Sequence, residues 1–235
     1  PDDLPNVVES FNLALSGKKL LLDNMIRVIR HSDGAERWVH GMARVECDSA
    51  GAARSLHGTI QDITERKQME DQVRQLAFYD PLTELPNRRL LNDRLNQMLM
   101  SGRRTDSFGA LMFLDLDNFK PLNDSYGHSV GDLLLIEVAQ RLTQCVRKAD
   151  TVSRFGGDEF VVMLCELSHN RAEATEQARV VAEKIRRSLS ERYRLPVRVE
   201  GNTLTNIEHH CSASVGVLVF NCAEATADHI LKGAD

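Results

Sequence analysis

The sequence holds no apolar run near the ~20 residues that a membrane-crossing helix requires. Its longest stretches, such as Phe108–Leu114, suit a buried strand instead. The opening Pro1-Asp2-Asp3 has no basic, apolar or cleavage region, so no secretory signal is expected, and any membrane anchor would lie outside these residues. Basic residues are in deficit: 29 Lys and Arg against 34 Asp and Glu leave a net charge of −5. A nucleic-acid binder normally shows a basic stripe, so that class is set aside. A nucleotide ligand is not, because a bound metal neutralises phosphate locally. Cysteine pairs are missing too. Cys47, Cys145, Cys165, Cys211 and Cys222 form no CxxC, which reads as reduced thiols in a cytoplasmic setting, with Cys165 and Cys211 packed in strands. Low-complexity tracts and internal repeats are also lacking.

What is present is an ordinary globular balance, 42% apolar and 27% charged over 235 residues. That length suits one domain of ~150 residues plus part of another. Residues 24–62 read as antiparallel strands. Asp33-Gly34 is a hairpin signal between Asn24–His31 and Arg37–Glu46, and Asp48-Ser49-Ala50-Gly51 supplies a turn before Arg54–Gln61. In the second strand Trp38, His40 and Met42 share one face, and Val39, Gly41, Ala43 and Val45 the other. A half-exposed sheet without a catalytic cluster suggests binding or sensing. From Thr64 to Phe78 the chain turns charged and helical. Asp62 and Glu65 have capping-box spacing, and Met69, Val73 and Leu76 follow the 4–3 spacing of a short coiled coil or of a solvated linker helix.

Residues 79–235 alternate between helix and strand patterns. Leu91, Leu95 and Met98 form one helical stripe; Leu135, Ala139, Leu142 and Val146 form another; Ala174, Ala178, Val181, Ile185 and Leu189 form a third. Strands are expected over Phe108–Asp115, Thr151–Phe155, Asp158–Leu164 and Cys211–Phe220. The class is α/β (α+β), with helices on a central, mostly antiparallel sheet.

Two acidic clusters stand out. Asp115-Leu116-Asp117-Asn118-Phe119-Lys120 follows directly on a buried strand, a common location for ligand sites. Arg154-Phe155-Gly156-Gly157-Asp158-Glu159-Phe160 places a two-glycine turn between strand runs, where positive φ is tolerated and a phosphate can approach the backbone. Acids beside a phosphate-accessible turn repel such a ligand unless a hard cation, Mg²⁺ or Mn²⁺, bridges carboxylate, carbonyl and phosphate oxygens. Either cluster alone occurs in many plain loops and hairpins.

Together they resemble the GGDEF family of diguanylate cyclase domains. Gly156-Gly157-Asp158-Glu159-Phe160 is the family signature. The run from Asp115 through Asn123 and Gly127-His128 to Gly131-Asp132 matches its second long motif. Asp80-Pro81-Leu82-Thr83-Glu84-Leu85-Pro86-Asn87-Arg88-Arg89 resembles its opening segment, with Glu84 where glycine is usual. The resemblance implies a palm-like fold over 79–235 and the condensation of two GTP into cyclic di-GMP. It implies metal held by Asp115, the Leu116 carbonyl and Asp158, with Glu159 supporting the metal or the proton transfer and Lys120 neutralising phosphate. The amides near Asn118, Phe119, Gly156 and Gly157 would hold the phosphates. Asn123 and Asp132 would read guanine, which shows two adjacent N–H donors where adenine shows an acceptor. Asp132 also suits the start of a helix over 131–148 on charge alone, and His128 is a substrate contact or a turn histidine.

Arg147 and Asp150 fit the family's inhibitory product site, or simply end a helix. Lys184 stands where members often have a supporting arginine. The ending Gly58-Thr59-Ile60-Gln61-Asp62-Ile63-Thr64-Glu65-Arg66-Lys67 resembles the C-terminal border of PAS sensor domains; the resemblance covers about residues 1–66, with 1–63 as the C-terminal part of such a domain and 64–78 as linker helix. The PAS part is expected to be truncated upstream, and the cyclase domain to continue past Asp235 into a helix that contacts phosphate. A homodimer is implied because each domain binds one GTP. The rival readings are a domain that holds GTP or cyclic di-GMP without catalysis, and a parent protein with a phosphodiesterase domain further on.

Overall fold

The computed structural model describes residues 3–16, 20–49, 51, 53–199 and 203–232. The chain divides into two compact units, Pro1–Arg74 and Gln75–Asp235. Among the described residues no helix is long and apolar enough to cross a membrane.

The first unit opens with helix α1 (Leu4–Leu15), which sequence reading did not anticipate, followed by strands β1 (Leu21–Ile29), β2 (Glu36–Cys47) and β3 (Ala53–Asp62). The strands form an antiparallel meander in sequence order. Asp33-Gly34 makes the first hairpin, with Ile29 facing Glu36 across it and Gly34 at a φ of 69°. At the second turn the Gly51 amide donates to the Asp48 carbonyl at 3.0 Å; Ala50 lies outside the described residues. The expected alternation of β2 holds. Val39, Gly41 and Ala43 line an apolar cleft of about 290 Å³ beneath Val7 and Phe11 of α1. Trp38 faces the other way, between Arg27 and Lys67, whose cationic groups lie 5.7 and 5.9 Å from its ring.

Helix α2 spans Thr64–Phe78, as expected. The capping box is not the arrangement found: α2 begins at Thr64, and the Asp62 carboxylate accepts from the Thr64 amide at 2.9 Å, two residues on rather than three. Met69, Val73 and Leu76 are all exposed along the helix.

The second unit comprises α3 (Arg88–Thr105), β4 (Phe108–Leu116), α4 (Phe119–Tyr126), α5 (His128–Cys145), β5 (Thr151–Gly156), β6 (Glu159–Leu167), α6 (Arg171–Ser190), β7 (Tyr193–Val199), β8 (Thr203–His209), β9 (Ala213–Asn221) and α7 (Ala227–Lys232). Strands β5-β6-β4-β9 form one antiparallel sheet. Its period-2 alternation sends Ala110, Met112, Leu114, Phe160 and Val162 to a core with Leu134, Val138, Ala178 and Ile185 of α5 and α6. Leu111, Val161 and Met163 point the other way, against Leu91, Leu95 and Met98 of α3 and Ile230 of α7. Both faces are covered, so β4 and β6 read as nearly continuous apolar runs.

Two expectations need correction. Cys211 is buried but precedes β9 rather than lying in a strand, because pairing with β4 starts at Ala213. The hairpin β7–β8 was not foreseen, and Pro196 within β7 is tolerated because it is a two-stranded ribbon with open edges.

Residues 79–87 form a tight loop. The Asp80 amide donates to the Leu85 carbonyl and the Glu84 amide to the Asp80 carbonyl, at 2.8 and 2.9 Å. Closing that loop puts exposed Glu84 at a φ of 58°, in the left-handed region where a Cβ is penalised. Glu84→Gly is therefore expected to stabilise the unit by about 1 kcal/mol, less the backbone entropy glycine gives up on folding. Thermal melting checks this: a rise of roughly 1–4 °C is expected, and a fall would assign Glu84 a compensating role.

Candidate active site

The site is built where β4 runs out. Asp115 is the last outward residue of that strand before Leu116, with Glu159 of β6 opposite on one side and Ser214 of β9 on the other. Asp117 follows, tied to the start of β9. Its amide donates to the Ser212 carbonyl at 2.9 Å, and its carboxylate accepts from the Ser212 and Ser214 hydroxyls at 2.6 and 3.2 Å. Asn118 then turns the chain at a φ of 62°, which asparagine tolerates better than most residues. This lets α4 start at Phe119, with Lys120 exposed in its first turn.

Gly127, at a φ of 83°, ends α4 and starts α5, so the two helices meet through one residue. The helix expected over 131–148 runs from His128 to Cys145. Asn123 near the end of α4 is thereby brought against Gly131 of α5, one residue before Asp132 in that helix's second turn; Asp132 and His128 are both exposed.

Gly156 and Gly157 form the β5–β6 turn at φ values of 147° and 52°. Sequence reading put Asp158 on the outgoing strand; it lies in the turn, and β6 begins at Glu159. Burial, and then the facing charges of Asp158 and Asp117, push the Asp115 carboxyl above the usual carboxylate value. Burial first, then Asp117 and Asp158, likewise raise the Cys211 thiol to about 11. Like charges converge here, and a divalent cation would relieve them.

Among the described residues no three Asp, Glu, His or Cys side chains gather tightly enough to cage an ion. The arrangement suits instead a hard cation that takes two carboxylates, Asp115 and Asp158, the Leu116 carbonyl, and oxygens of a bound phosphate. Asp115 and Glu159 also line a cleft of about 490 Å³ with Phe155 and Arg88. Arg88, whose guanidinium lies 5.3 Å from the Phe155 ring, escaped sequence reading, although its place in the Asn87-Arg88 segment was the available signal.

In the sequence Arg154 is only a neighbour of the two glycines; in the structure it has a definite task. Its Nε and Nη2 donate to the Gly157 carbonyl at 3.1 and 2.8 Å, and its Nη1 to the Asp80 carboxylate at 2.9 Å. Its amide donates to the Pro86 carbonyl at 3.0 Å. One side chain thus joins the 79–87 loop to the glycine turn. Asp80 further accepts from the Thr83 amide and hydroxyl at 2.8 and 2.6 Å.

Residues 77–235 match the family described as diguanylate cyclase, GGDEF domain. The chain belongs to the GGDEF family. It is 41% identical over 161 residues to the bifunctional diguanylate cyclase/cyclic di-GMP phosphodiesterase MucR of Pseudomonas aeruginosa, covering 68% of this chain and 21% of that protein. Diguanylate cyclase DgcP of the same organism is 38% identical over 167 residues, 71% of this chain and 22% of DgcP. The chain thus spans about a fifth of the length of these relatives. Among solved structures, the coiled coil and GGDEF domain of DgcB from Caulobacter crescentus, in complex with c-di-GMP, superposes with a TM-score of 0.60 at 25% identity, over 74% of this chain and 84% of that one. A sensory box/GGDEF family protein from Caulobacter crescentus gives 0.56 at 31%, over 67% and 92%.

GGDEF cyclases generally work with divalent metal, which agrees with the oxygen donors gathered at the end of β4. The signature turn, Asp115 and the start of α4 lie at one end of the sheet. Arg147 and Asp150 sit at the other end of β5. There the Asp150 carboxylate accepts from the Arg147 amide at 2.9 Å and the Cys165 amide at 3.1 Å. Arg147 itself is exposed beside a cleft of about 220 Å³. Lys184 lines a neighbouring cleft, and its ammonium donates to the Gln144 and Cys145 carbonyls that end α5, at 3.3 and 2.9 Å.

Proposed function

We propose that the Gln75–Asp235 unit is a diguanylate cyclase that uses Mg²⁺ or Mn²⁺ to condense two GTP into cyclic di-GMP and two pyrophosphates. The observation that carries this reading is the convergence of Asp115 and Asp158 beside an open two-glycine turn, in a chain of this family. Asp115, Asp158 and the Leu116 carbonyl would hold a divalent ion, which would supply charge neutralisation at the α-phosphate and acidify the attacking hydroxyl.

The protein's own groups do the rest. The amides around Asn118, Phe119, Gly156 and Gly157 bind phosphate oxygens, and Lys120 offsets charge as it develops. Asn123 and Asp132 hold the guanine edge. A ribose 3′-oxygen bonds to the α-phosphorus of the second GTP, the bond to the β-phosphate oxygen breaks, and the hydroxyl proton leaves toward Glu159. Repeating the step closes the ring. Each domain holds one GTP, so two copies must face each other, and the exposed Met69, Val73 and Leu76 of α2 offer a stripe for pairing. The first unit is proposed to be the PAS-type sensor portion.

Incubating the pure chain with GTP and Mg²⁺ and separating the nucleotides tests the reading. Cyclic di-GMP and pyrophosphate in a 1:2 ratio are expected by stoichiometry. GTP binding without turnover would make the unit a nucleotide-holding module. Product feedback is proposed at Arg147, whose exposed fork suits phosphate or guanine oxygens. Arg147→Ala is expected to raise the cyclic di-GMP concentration for half-inhibition about tenfold, the scale of one charge-assisted contact, with the uninhibited rate unchanged. A wild type that added product does not slow leaves Arg147 as a helix-end residue.

A further inference from the structure

Asp117 lies one residue past β4, between Leu116 and the left-handed Asn118. Every polar atom it carries is engaged by the lead-in to β9. Its amide donates to the Ser212 carbonyl at 2.9 Å, and its own carbonyl accepts from the Cys211 thiol at 3.4 Å. Its two carboxylate oxygens accept from different hydroxyls, Oδ2 from Ser212 at 2.6 Å and Oδ1 from Ser214 at 3.2 Å. These contacts hold the carboxylate toward β9, on the opposite edge of β4 from β6 and the glycine turn.

The consequence falls on the peptide unit before it. A planar trans peptide sends its N–H and its C=O to opposite sides. The Asp117 amide points to the β9 side, so the Leu116 carbonyl points to the β6 side. Pairing with β6 ends where Asp115 faces Glu159, the first residue of that strand. The carbonyl therefore lies past the start of β6 and looks toward the turn that carries Asp158.

We propose that Asp117 is a positioning residue for the divalent ion rather than one of its ligands. Held by Ser212 and Ser214, it locks the Leu116–Asp117 peptide so that the Leu116 carbonyl faces the cation. This rests on the reading above that Asp115, Asp158 and that carbonyl hold the ion. A carboxylate suits the post because it accepts from both hydroxyls at once. Outer partners that aim a ligand commonly cost ~10–100-fold in metal affinity when removed.

The test measures Mn²⁺ affinity of the full chain by water-proton relaxation, with and without α,β-methylene-GTP, alongside melting temperature. Asp117→Ala is expected to weaken Mn²⁺ about tenfold, the low end for such a partner. Ser212→Ala combined with Ser214→Ala should do the same, and adding Asp117→Ala to that pair should cost nothing more. Asp117→Asn keeps most of the affinity, because one hydroxyl still donates to Oδ1 and the other rotates to accept from Nδ2. A ligand gives the opposite pattern: asparagine as damaging as alanine, and serine variants that leave Mn²⁺ binding unchanged or tighten it by freeing the carboxylate. That pattern overturns the proposal. So does an Asp117→Ala variant that melts lower yet binds Mn²⁺ as wild type does. If Asp117→Ala fails to fold, the serine pair and Asp117→Asn decide by the same contrast. A wild type that binds Mn²⁺ no better than Asp115→Asn overturns the metal site as a whole, and so is told apart from a failure of Asp117 alone.

Discussion

Replacing Asp115 or Asp158 with asparagine is expected to abolish cyclic di-GMP synthesis while the fold survives. Each substitution keeps size and shape and removes one charge from a site proposed to hold a divalent ion with few protein ligands. Loss of one preorganised electrostatic group typically lowers kcat about 10²–10³-fold, and a carboxylate that also anchors the cation belongs at the upper end. Stability should move the other way. Asp115 carries the penalty of burial and of the Asp158 and Asp117 charges, so a neutral side chain there relieves repulsion. The paired measurement is initial rate and melting temperature. An inactive variant that melts as high as wild type, or higher, supports the site; a folded variant with wild-type turnover removes Asp115 and Asp158 from it.

Arg154→Ala is expected to damage both stability and rate. Arg154 and Asp80 are 11% and 17% exposed at their side chains, so truncation strands a largely buried carboxylate and an unpaired Gly157 carbonyl. Breaking a fully buried pair costs ~3–5 kcal/mol, and the remaining solvent contact brings this one to about 2–3 kcal/mol. The turn that carries Asp158 loses its brace, and a displacement of roughly 1 Å in such geometry is worth on the order of 10²-fold in rate. Arg154→Lys should rescue little, because an ammonium cannot reach both partners with a planar fork.

The pH dependence follows from Asp80. Burial raises its carboxyl, but the Thr83 and Arg154 hydrogen bonds outweigh that and hold it below its ordinary value. A depressed folded value means stability that is present above about pH 4 and lost as the pH falls through the folded value. Wild-type melting should therefore fall over that acid range, and the Arg154→Ala profile should be flatter. Parallel profiles would show that Arg154 does not set the ionisation of Asp80.

Much of this was legible in the sequence because it depends on neighbours along the chain. The apolar runs of β4 and β6, the stripe on α3 and the glycine turn each announce themselves within ten residues. Pairing across the sheet does not. Asp80 and Arg154 meet across 74 positions, and only the presence of both inside recognised motifs hinted at a shared purpose. The β7–β8 ribbon was missed because Pro196 interrupts the run, although Tyr193, Leu195, Val197 and Val199 alternate with Arg194 and Arg198 as a strand should. Helix α1 was overlooked although Leu4, Val7, Val8, Phe11 and Leu15 keep helical spacing. The Asn123–Gly131 contact was hidden for another reason: a sequence shows which residues are present, not the space a missing side chain leaves.

The position of β4 in the sheet has one more consequence. It is paired on both edges and covered on both faces, so its amides have no route to solvent short of opening the whole sheet. Asp115 stands at the end of the strand expected to exchange slowest, whereas the α4–α5 junction and the glycine turn hang from its margins. Fluctuations that admit or release a nucleotide can then run through the margins at low energy while Asp115 keeps its place, and because Asp158 rides on the glycine turn, heat inactivation is expected to precede global unfolding.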